Sequence, residues 1–227
     1  MYSETALPSG QVIWRSFSSA AAVVPADGSA DLILRDDAVF VAGPSTRWIA
    51  TLDDGAEGSF GVRFAPGDFA VVLPIPLQEI SDQLVPLADL SSRTEGAAIR
   101  DAMLRARAMQ RMLLDRSDEL RLLQASSDAW VPFVRSSANR AVRGALVAQR
   151  LGWTPRTFRR RMLTAFGYSY GTLVRLRRMQ RAQSLLREGT QLAAVAVKAG
   201  YSDQPHFSRE FKRLVGSSPR QFAGSAA

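Results

Sequence analysis

The chain has 227 residues, 46% of them hydrophobic and 22% charged, so it can bury a core and is not a disordered chain. It contains no cysteine and a single histidine, His206, which excludes disulfides, cysteine nucleophiles and thiolate or multi-histidine metal sites. No apolar run reaches the ~18 residues of a membrane helix, and the N-terminus lacks the pattern of a signal peptide. We therefore expect a cytoplasmic protein with no membrane segment and no cofactor.

Charge is distributed unevenly along the chain. Residues 1–134 contain 11 Arg against 18 Asp and Glu, a net charge of −7, whereas residues 135–227 contain 18 Arg and Lys against 3 acids, a net charge of +15. A compact segment with such a field repels itself, which favours a polyanionic partner. A merely solvated basic surface is the alternative.

The first half of the chain predicts a small antiparallel β domain. Short runs rich in Val, Ile, Phe and Leu alternate with turn signals such as Asp53-Asp54-Gly55. The runs expected to be strands are residues 11–17, 31–34, 38–41, 48–52, 60–64 and 69–73. Residues 31–41 predict a hairpin, and Pro74 and Pro76 are expected to end the strand region.

The pattern becomes helical between Gly96 and Leu123, where apolar residues recur at spacings of three and four. Residues 124–128 (QASSD) are the best candidate for a linker, and the rest of the chain reads as helices broken at glycine. The sequence thus predicts an α+β protein. A β-rich domain with a C-terminal helix covers residues 1–125, and an all-α domain covers residues 126–227.

The second half contains one pattern twice, as LGWTPRTFRRRMLTAFG (151–167) and GYSDQPHFSREFKRLVG (200–216). Each copy has a Gly–aromatic pair, a capping residue (Thr154 or Asp203), a Phe four residues later and a closing Gly. Glycine ends a helix in the left-handed conformation, and Thr and Asp are good N-caps. Each copy therefore predicts a helix-turn-helix unit, and a helix over about residues 170–188 joins the two.

The second helix of each unit, here called its recognition helix, leaves one face to solvent. That face carries residue types that bond base edges and phosphates in the major groove of DNA. In the first unit these are Arg156, Thr157, Arg159, Arg160 and Arg161. In the second unit they are Gln204, His206, Ser208, Arg209, Lys212 and Arg213. A connecting helix of roughly 28 Å is close to the ~34 Å between successive major grooves, so one chain can enter two of them.

Residues 142–222 resemble the DNA-binding domain of AraC-type regulators, through LGWTPRTFRRRM, RLRRMQRAQSLLREG, AVKAGYSDQPHFSREFKRLVG and SSPRQF. That family has two helix-turn-helix units joined by a long helix, and its members are mostly signal-responsive transcription regulators, commonly activators. The resemblance implies double-stranded DNA as a partner. It also implies three further partners: RNA polymerase, a small-molecule effector and a second copy of the chain. The positions that match base readers are Arg156, Arg159, Arg160, Gln204, Pro205, Ser208 and Arg209, where Pro205 offers only its apolar ring.

Residues 25–46 and GVRFAPG (61–67) resemble the shortened cupin-related domain of a subset of AraC-type regulators. This resemblance implies a sensing or dimerising domain, for which Arg47, Trp48 and Arg63 are candidate effector-binding residues. Metal-binding cupins hold their ion with histidines, which this half lacks, so no metal site is expected.

Two other classes of protein compete with a transcription regulator. AraC-type domains also occur in DNA methyl-repair enzymes, but those need a reactive cysteine, so the absence of cysteine excludes that chemistry and no enzyme activity is expected. A nonspecific nucleic-acid-binding or architectural protein would carry a basic face, yet it would not need two matched recognition helices.

Overall fold

The β domain and the helices that follow it confirm the predicted α+β class. The computed structural model describes residues 1–18, 22–51, 53–109 and 128–225. The predicted domain boundary at residues 125 and 126 and most of the predicted linker lie outside the described residues, as does the predicted helix beyond residue 109. The boundary therefore stays a prediction.

Eight strands lie within the described residues. They are β1 (Tyr2–Ala6), β2 (Val12–Ser16), β3 (Val23–Val24), β4 (Ala30–Arg35), β5 (Ala38–Ala42), β6 (Ile49–Ala50), β7 (Ser59–Phe64) and β8 (Leu84–Pro86). Six of them form one antiparallel sheet in the order β1-β2-β7-β4-β5-β8, while β3 pairs with β6 separately. The sheet buries one face against the helix α1 (Arg93–Met109), where Ile99 and Met103 join its core.

The predicted hairpin over residues 31–41 is confirmed. Strands β4 and β5 pair with Arg35 opposite Ala38, which leaves Asp36 and Asp37 as a two-residue loop. Both aspartates have positive φ, 45° and 61°, as the twist of a two-residue hairpin requires. Aspartate tolerates this left-handed conformation better than most residues, so the two aspartates suit the loop.

Strands β1 and β3 lie outside the predicted runs, and the prediction is also wrong in two further places. Residues 69–73 are not a strand but begin with a 3₁₀ helix, Phe69–Val71, whose turn brings the buried Phe69 and Leu73 onto one side. The two prolines at 74 and 76 do not end the strand region either, because β8 adds to the free edge of β5. Its Pro86 is tolerated there, since an edge strand does not need every N–H for pairing.

Eight α-helices lie within the described residues. After α1 they are α2 (Trp130–Asn139), α3 (Gly144–Arg150), α4 (Pro155–Phe166), α5 (Tyr170–Arg187), α6 (Leu192–Ala199), α7 (Gln204–Val215) and α8 (Pro219–Ser225). Helix α5 is the predicted connecting helix, and its buried Leu173, Leu176, Met179 and Ala182 run through the core of the helical region. Helices α2, α6, α7 and α8 all pack on it.

The turn at residues 26–28 of the β domain packs into the helical region. Ala26 is completely buried among the helices, and its N–H donates to the C=O of Leu214 at 2.8 Å. The hydroxyl of buried Tyr168 donates to the C=O of Gly28 at 3.0 Å. Gly28 has a φ of +76°, and a Cβ there would collide with Tyr168 and Leu176. Glycine is therefore required at this close approach.

A largely buried acid, Asp31, lies on the other face of the sheet, with its side chain 13% exposed. Asp31 accepts a hydrogen bond from Trp14 Nε1 at 2.6 Å and one from Arg63 Nε at 3.2 Å. The same guanidinium lies 3.5 Å from Asp27, in the turn that enters the helical region. Burial raises the pKa of Asp31 to about 6, although Arg63 opposes the rise. The carboxyl therefore holds its proton more tightly in the folded chain than its ordinary value of 3.8 implies.

We expect Asp31 to make the protein less stable as the pH rises from 4 to 7. The stabilisation that comes from its raised pKa is fully present below the unfolded value of 3.8 and is lost as the pH rises through about 6. The free energy of unfolding that is lost in this way amounts to at most about 3 kcal/mol. Urea unfolding of wild type and Asp31→Asn across this range measures it. The stability of wild type relative to the variant should fall with pH, and a constant difference would contradict the prediction.

Candidate nucleic-acid interface

Local signals in the sequence set the bounds of the first recognition helix, α4. The hydroxyl of Thr154 accepts the backbone N–H of Thr157 at 3.2 Å, which confirms the predicted N-cap. Pro155 occupies the first turn, where its missing N–H leaves no partner unsatisfied. Gly167 ends the helix with a φ of +79°, in the left-handed conformation.

One face of α4 is packed into the helical core. Phe158, Met162 and Phe166 are buried there, and the Phe158 ring lies 5.6 Å from that of Tyr170 at the start of α5. The period of 3.6 residues then turns the remaining positions outward. Of the residues predicted to contact DNA in this unit, Arg156, Arg159 and Arg160 are exposed and Thr157 is half-buried.

Arg161 lies on the same helix as these arginines, but its side chain contacts an aromatic ring. Its guanidinium lies over the ring of Trp153 at 4.5 Å, and Trp153 in turn meets the ring of Trp130 at 5.2 Å. Such a cation–π contact holds the side chain against the first unit. Arg161 is exposed, as its position on the helix predicts, but the sequence does not show that the ring of Trp153 lies beneath its guanidinium.

The second recognition helix, α7, begins at a charged cap. Asp203 Oδ1 accepts the N–H of His206 at 2.6 Å, and this bond is the main cause of the lowered pKa of the Asp203 carboxyl. The imidazole of His206 is half-buried, with Nδ1 3.2 Å from the hydroxyl of Ser202 and its ring 5.6 Å from that of Tyr201. His206 thus completes the first turn of α7.

Helix α7 repeats the division of faces seen in α4. Phe207, Phe211 and Leu214 are buried, and the two Phe rings lie 5.5 Å apart. The other predicted DNA-contacting residues of this unit are the exposed Gln204, Pro205, Arg209, Lys212 and Arg213 and the half-buried Ser208. Each unit therefore presents a polar and basic face from a helix anchored by phenylalanine.

Glu210 is a structural residue that sequence reasoning missed. Its carboxylate is 8% exposed and lies 3.9 Å from Arg175 on α5 and 4.0 Å from Arg213 on α7. The signal was its position three residues after Phe207, which places it on the buried face of the helix. It balances two cations of a strongly basic region where α7 meets α5.

The three candidate effector residues make separate contacts. Arg63 lies in the sheet, beside Asp27 and Asp31. The ring of Trp48 packs against the backbone of Gly216, the C-cap of α7, and Arg47 is mostly exposed with its Nε 3.9 Å from Asp82. Their role in binding an effector stays a prediction.

Two domain families match the chain. Residues 147–225 match the family described as "Helix-turn-helix domain", and residues 11–86 match "Domain of unknown function (DUF6597)". The first match covers both recognition helices and α5. The C-terminal part of the chain therefore carries an AraC-type helix-turn-helix domain. No helix in the described part of the chain has both the length and the apolarity of a membrane span.

Named relatives match part of the chain. The chain is 36% identical over 76 residues to the HTH-type transcriptional regulator VirS of Mycobacterium tuberculosis. The matched segment covers 34% of this chain and 22% of VirS. It is 43% identical over 58 residues to the F1 operon positive regulatory protein of Yersinia pestis, 25% of this chain and 19% of that protein. The match thus spans about a fifth of each relative.

A solved structure is similar to part of the chain. The C-terminal domain of AraT, a response regulator from Geobacillus stearothermophilus, shares 28% identity, covers 43% of this chain and 86% of its own, and has a TM-score of 0.39.

The two faces of α7 predict opposite effects of two substitutions. Phe207→Ala should lower the free energy of unfolding by roughly 3–5 kcal/mol, because it leaves a cavity among buried aromatic side chains. Arg209→Ala removes an exposed side chain and should change thermal stability little while weakening DNA binding. Melting temperature and DNA affinity are to be measured for both variants. If Arg209→Ala melts as low as Phe207→Ala, Arg209 is a structural residue and contributes no readout.

Proposed function

We propose that this protein, which carries an AraC-type helix-turn-helix domain, is a transcription regulator that binds duplex DNA sequence-specifically and reads two adjacent major grooves. The observation that carries the proposal is the repeated division of faces. Both α4 and α7 bury a phenylalanine face and present donors to solvent on the other. A helix held rigidly in this way is what base readout in the major groove needs.

The exposed side chains suit readout of specific bases. Arg156, Arg159 and Arg160 on α4 are suited to guanine, whose O6 and N7 accept two hydrogen bonds from one guanidinium. On α7 the amide of Gln204 suits adenine and Arg209 suits guanine, whereas Lys212 suits a phosphate. Helix α5, about 27 Å long from its 18 residues, sets the separation between the two units.

Activation of transcription is the proposed direction of regulation. One relative is named as a positive regulatory protein of an operon, which supports this sign. An activator of this kind contacts RNA polymerase, and we include the polymerase among the partners. The β domain is proposed to sense a small molecule or to pair with a second copy of the chain, in the cytoplasm. No catalytic step is part of the proposal.

A nonspecific nucleic-acid-binding protein is the rival, since the net charge of +15 over residues 135–227 would attract any duplex. Selection of bound sequences from a random DNA pool by the full-length protein distinguishes the two. A regulator enriches a motif with two contacted segments about one helical turn apart, and an unlabelled scrambled duplex competes poorly with it. Equal competition by scrambled DNA would support the rival.

The arginines of α4 provide a matched pair of substitutions. Arg159→Ala should cost about 1–3 kcal/mol at the selected site and relax the preference at one base pair. Arg161→Ala removes the same charge from the same helix, but its side chain lies on Trp153. This control should keep the base preference. Titration of each variant against the selected site and its single-base variants measures both effects. An equal loss on every sequence would mean that Arg159 contacts phosphate rather than a base.

A further inference from the structure

A 3₁₀ helix of the β domain, Leu77–Glu79, lies directly against the first recognition helix. The hydroxyl of Ser81 donates to the C=O of Leu77 at 3.1 Å and to that of Gly167 at 2.8 Å. The C=O of Leu77 also lies 3.0 Å from where a Cβ on Gly167 would stand. The β domain is thus fastened to the C-cap of α4.

This attachment brings Gln78 to the exposed face of α4. Leu77 is buried in the core of the β domain, and the next residue, Gln78, is exposed. Gln78 lines a surface groove of about 420 Å³ together with residues of α4. Those residues are Arg156, Thr157, Arg159, Arg160, Leu163 and Thr164. A side chain of the β domain therefore borders the surface that is proposed to meet DNA.

The attachment of the segment that carries Gln78 to the C-cap of α4 indicates which part of the DNA this residue meets. In helix-turn-helix complexes the N-terminal residues of the recognition helix contact base edges. Gln78 belongs to a segment fastened at the opposite end of α4, where Gly167 closes the helix. The sugar–phosphate backbone borders the groove that the helix enters, and a glutamine amide is a common donor to phosphate oxygens.

We propose that Gln78 is a further DNA-contacting residue, whose side-chain amide donates to a phosphate oxygen beside the bases that α4 reads. The inference rests on the proposed function. It makes the β domain part of the DNA-binding surface in addition to its proposed sensing or dimerising role. Glu79, which is also exposed, does not line the groove, so the amide rather than the neighbouring carboxylate faces the duplex.

A charge introduced at this position tests the contact. Gln78→Lys places an ammonium beside the phosphate, so affinity should rise about fivefold and the slope of log K against log salt should steepen by about 0.9. Gln78→Ala should weaken binding by about 2- to 10-fold equally on all sequences, because a phosphate contact carries no base information. Both are to be measured on the full chain by fluorescence anisotropy over a salt series, with melting temperatures as a check of folding.

Gln83→Lys is the matched control. Gln83 is exposed on the same segment, its amide donates to the C=O of Glu79, and it does not line the groove. The same added charge there should leave the salt slope near that of wild type. If Gln78→Lys equals Gln83→Lys in affinity and slope, the inference is overturned. Tighter binding by Gln78→Ala would overturn it too, because the 3₁₀ helix would then screen α4 from DNA.

The failure of this inference and that of the proposed function give different results. If wild type binds no preferred duplex, the proposed function itself is wrong. If wild type binds a preferred site and Arg159→Ala weakens it while both Gln78 variants behave like wild type, only the Gln78 contact is wrong.

Discussion

The burial of one aromatic face on each recognition helix is the constraint on which the remaining structure depends. Phe158 and Phe166 on α4, and Phe207 and Phe211 on α7, are all buried. Exposing one such side chain costs roughly 1.5–3 kcal/mol, so neither helix can rotate about its axis without a large loss of stability. Because the residues of a helix turn together, fixing the phenylalanines also fixes the direction of Arg159 and Arg209. Readout and packing are thus two consequences of one helical period.

The β domain is held to both helix-turn-helix units. Ser81 bonds to the C-cap of α4, while the N–H of Ala26 bonds to Leu214 on α7. Tyr168, between α4 and α5, bonds to Gly28 in the same turn as Ala26. The relative placement of the two recognition helices therefore depends on the β domain as well as on α5. A ligand acts on DNA affinity through such contacts only if it binds one arrangement of them better than another.

The residues that sequence reasoning placed correctly obey local rules. The caps Thr154 and Asp203, the closing glycines and the Phe spacing depend on neighbours within a few positions, so the helix-turn-helix units could be predicted. The hairpin over residues 31–41 was predictable for the same reason. A run such as Phe69–Val71 was not, because three or four apolar residues fit either a strand or a helical turn and only the surrounding core decides.

The parts that could not be predicted depend on contacts between distant segments. The sequence does not reveal that Trp153 lies under Arg161, or that Gln78 of the β domain borders α4. Arg63 shows the same limit. The sequence was compatible with a role for Arg63 in an effector pocket. In the fold, three acids from two separate strands and a turn lie around its guanidinium. Pairing across a sheet follows from register, which one strand alone does not define.

These ion pairs also explain how an acidic domain can sit beside a basic one without neutralising it. Acids of the β domain are engaged by its own Arg63 and by Arg135 of α2, which lies 2.7 Å from Asp68. Within the described residues, no carboxylate lies in ion-pair distance of Arg156, Arg159 or Arg160. Their charge is therefore available to phosphates and guanines, and each phosphate they neutralise releases condensed counterions. The pair between Asp68 and Arg135 joins the β domain to α2 without using the charge of α4.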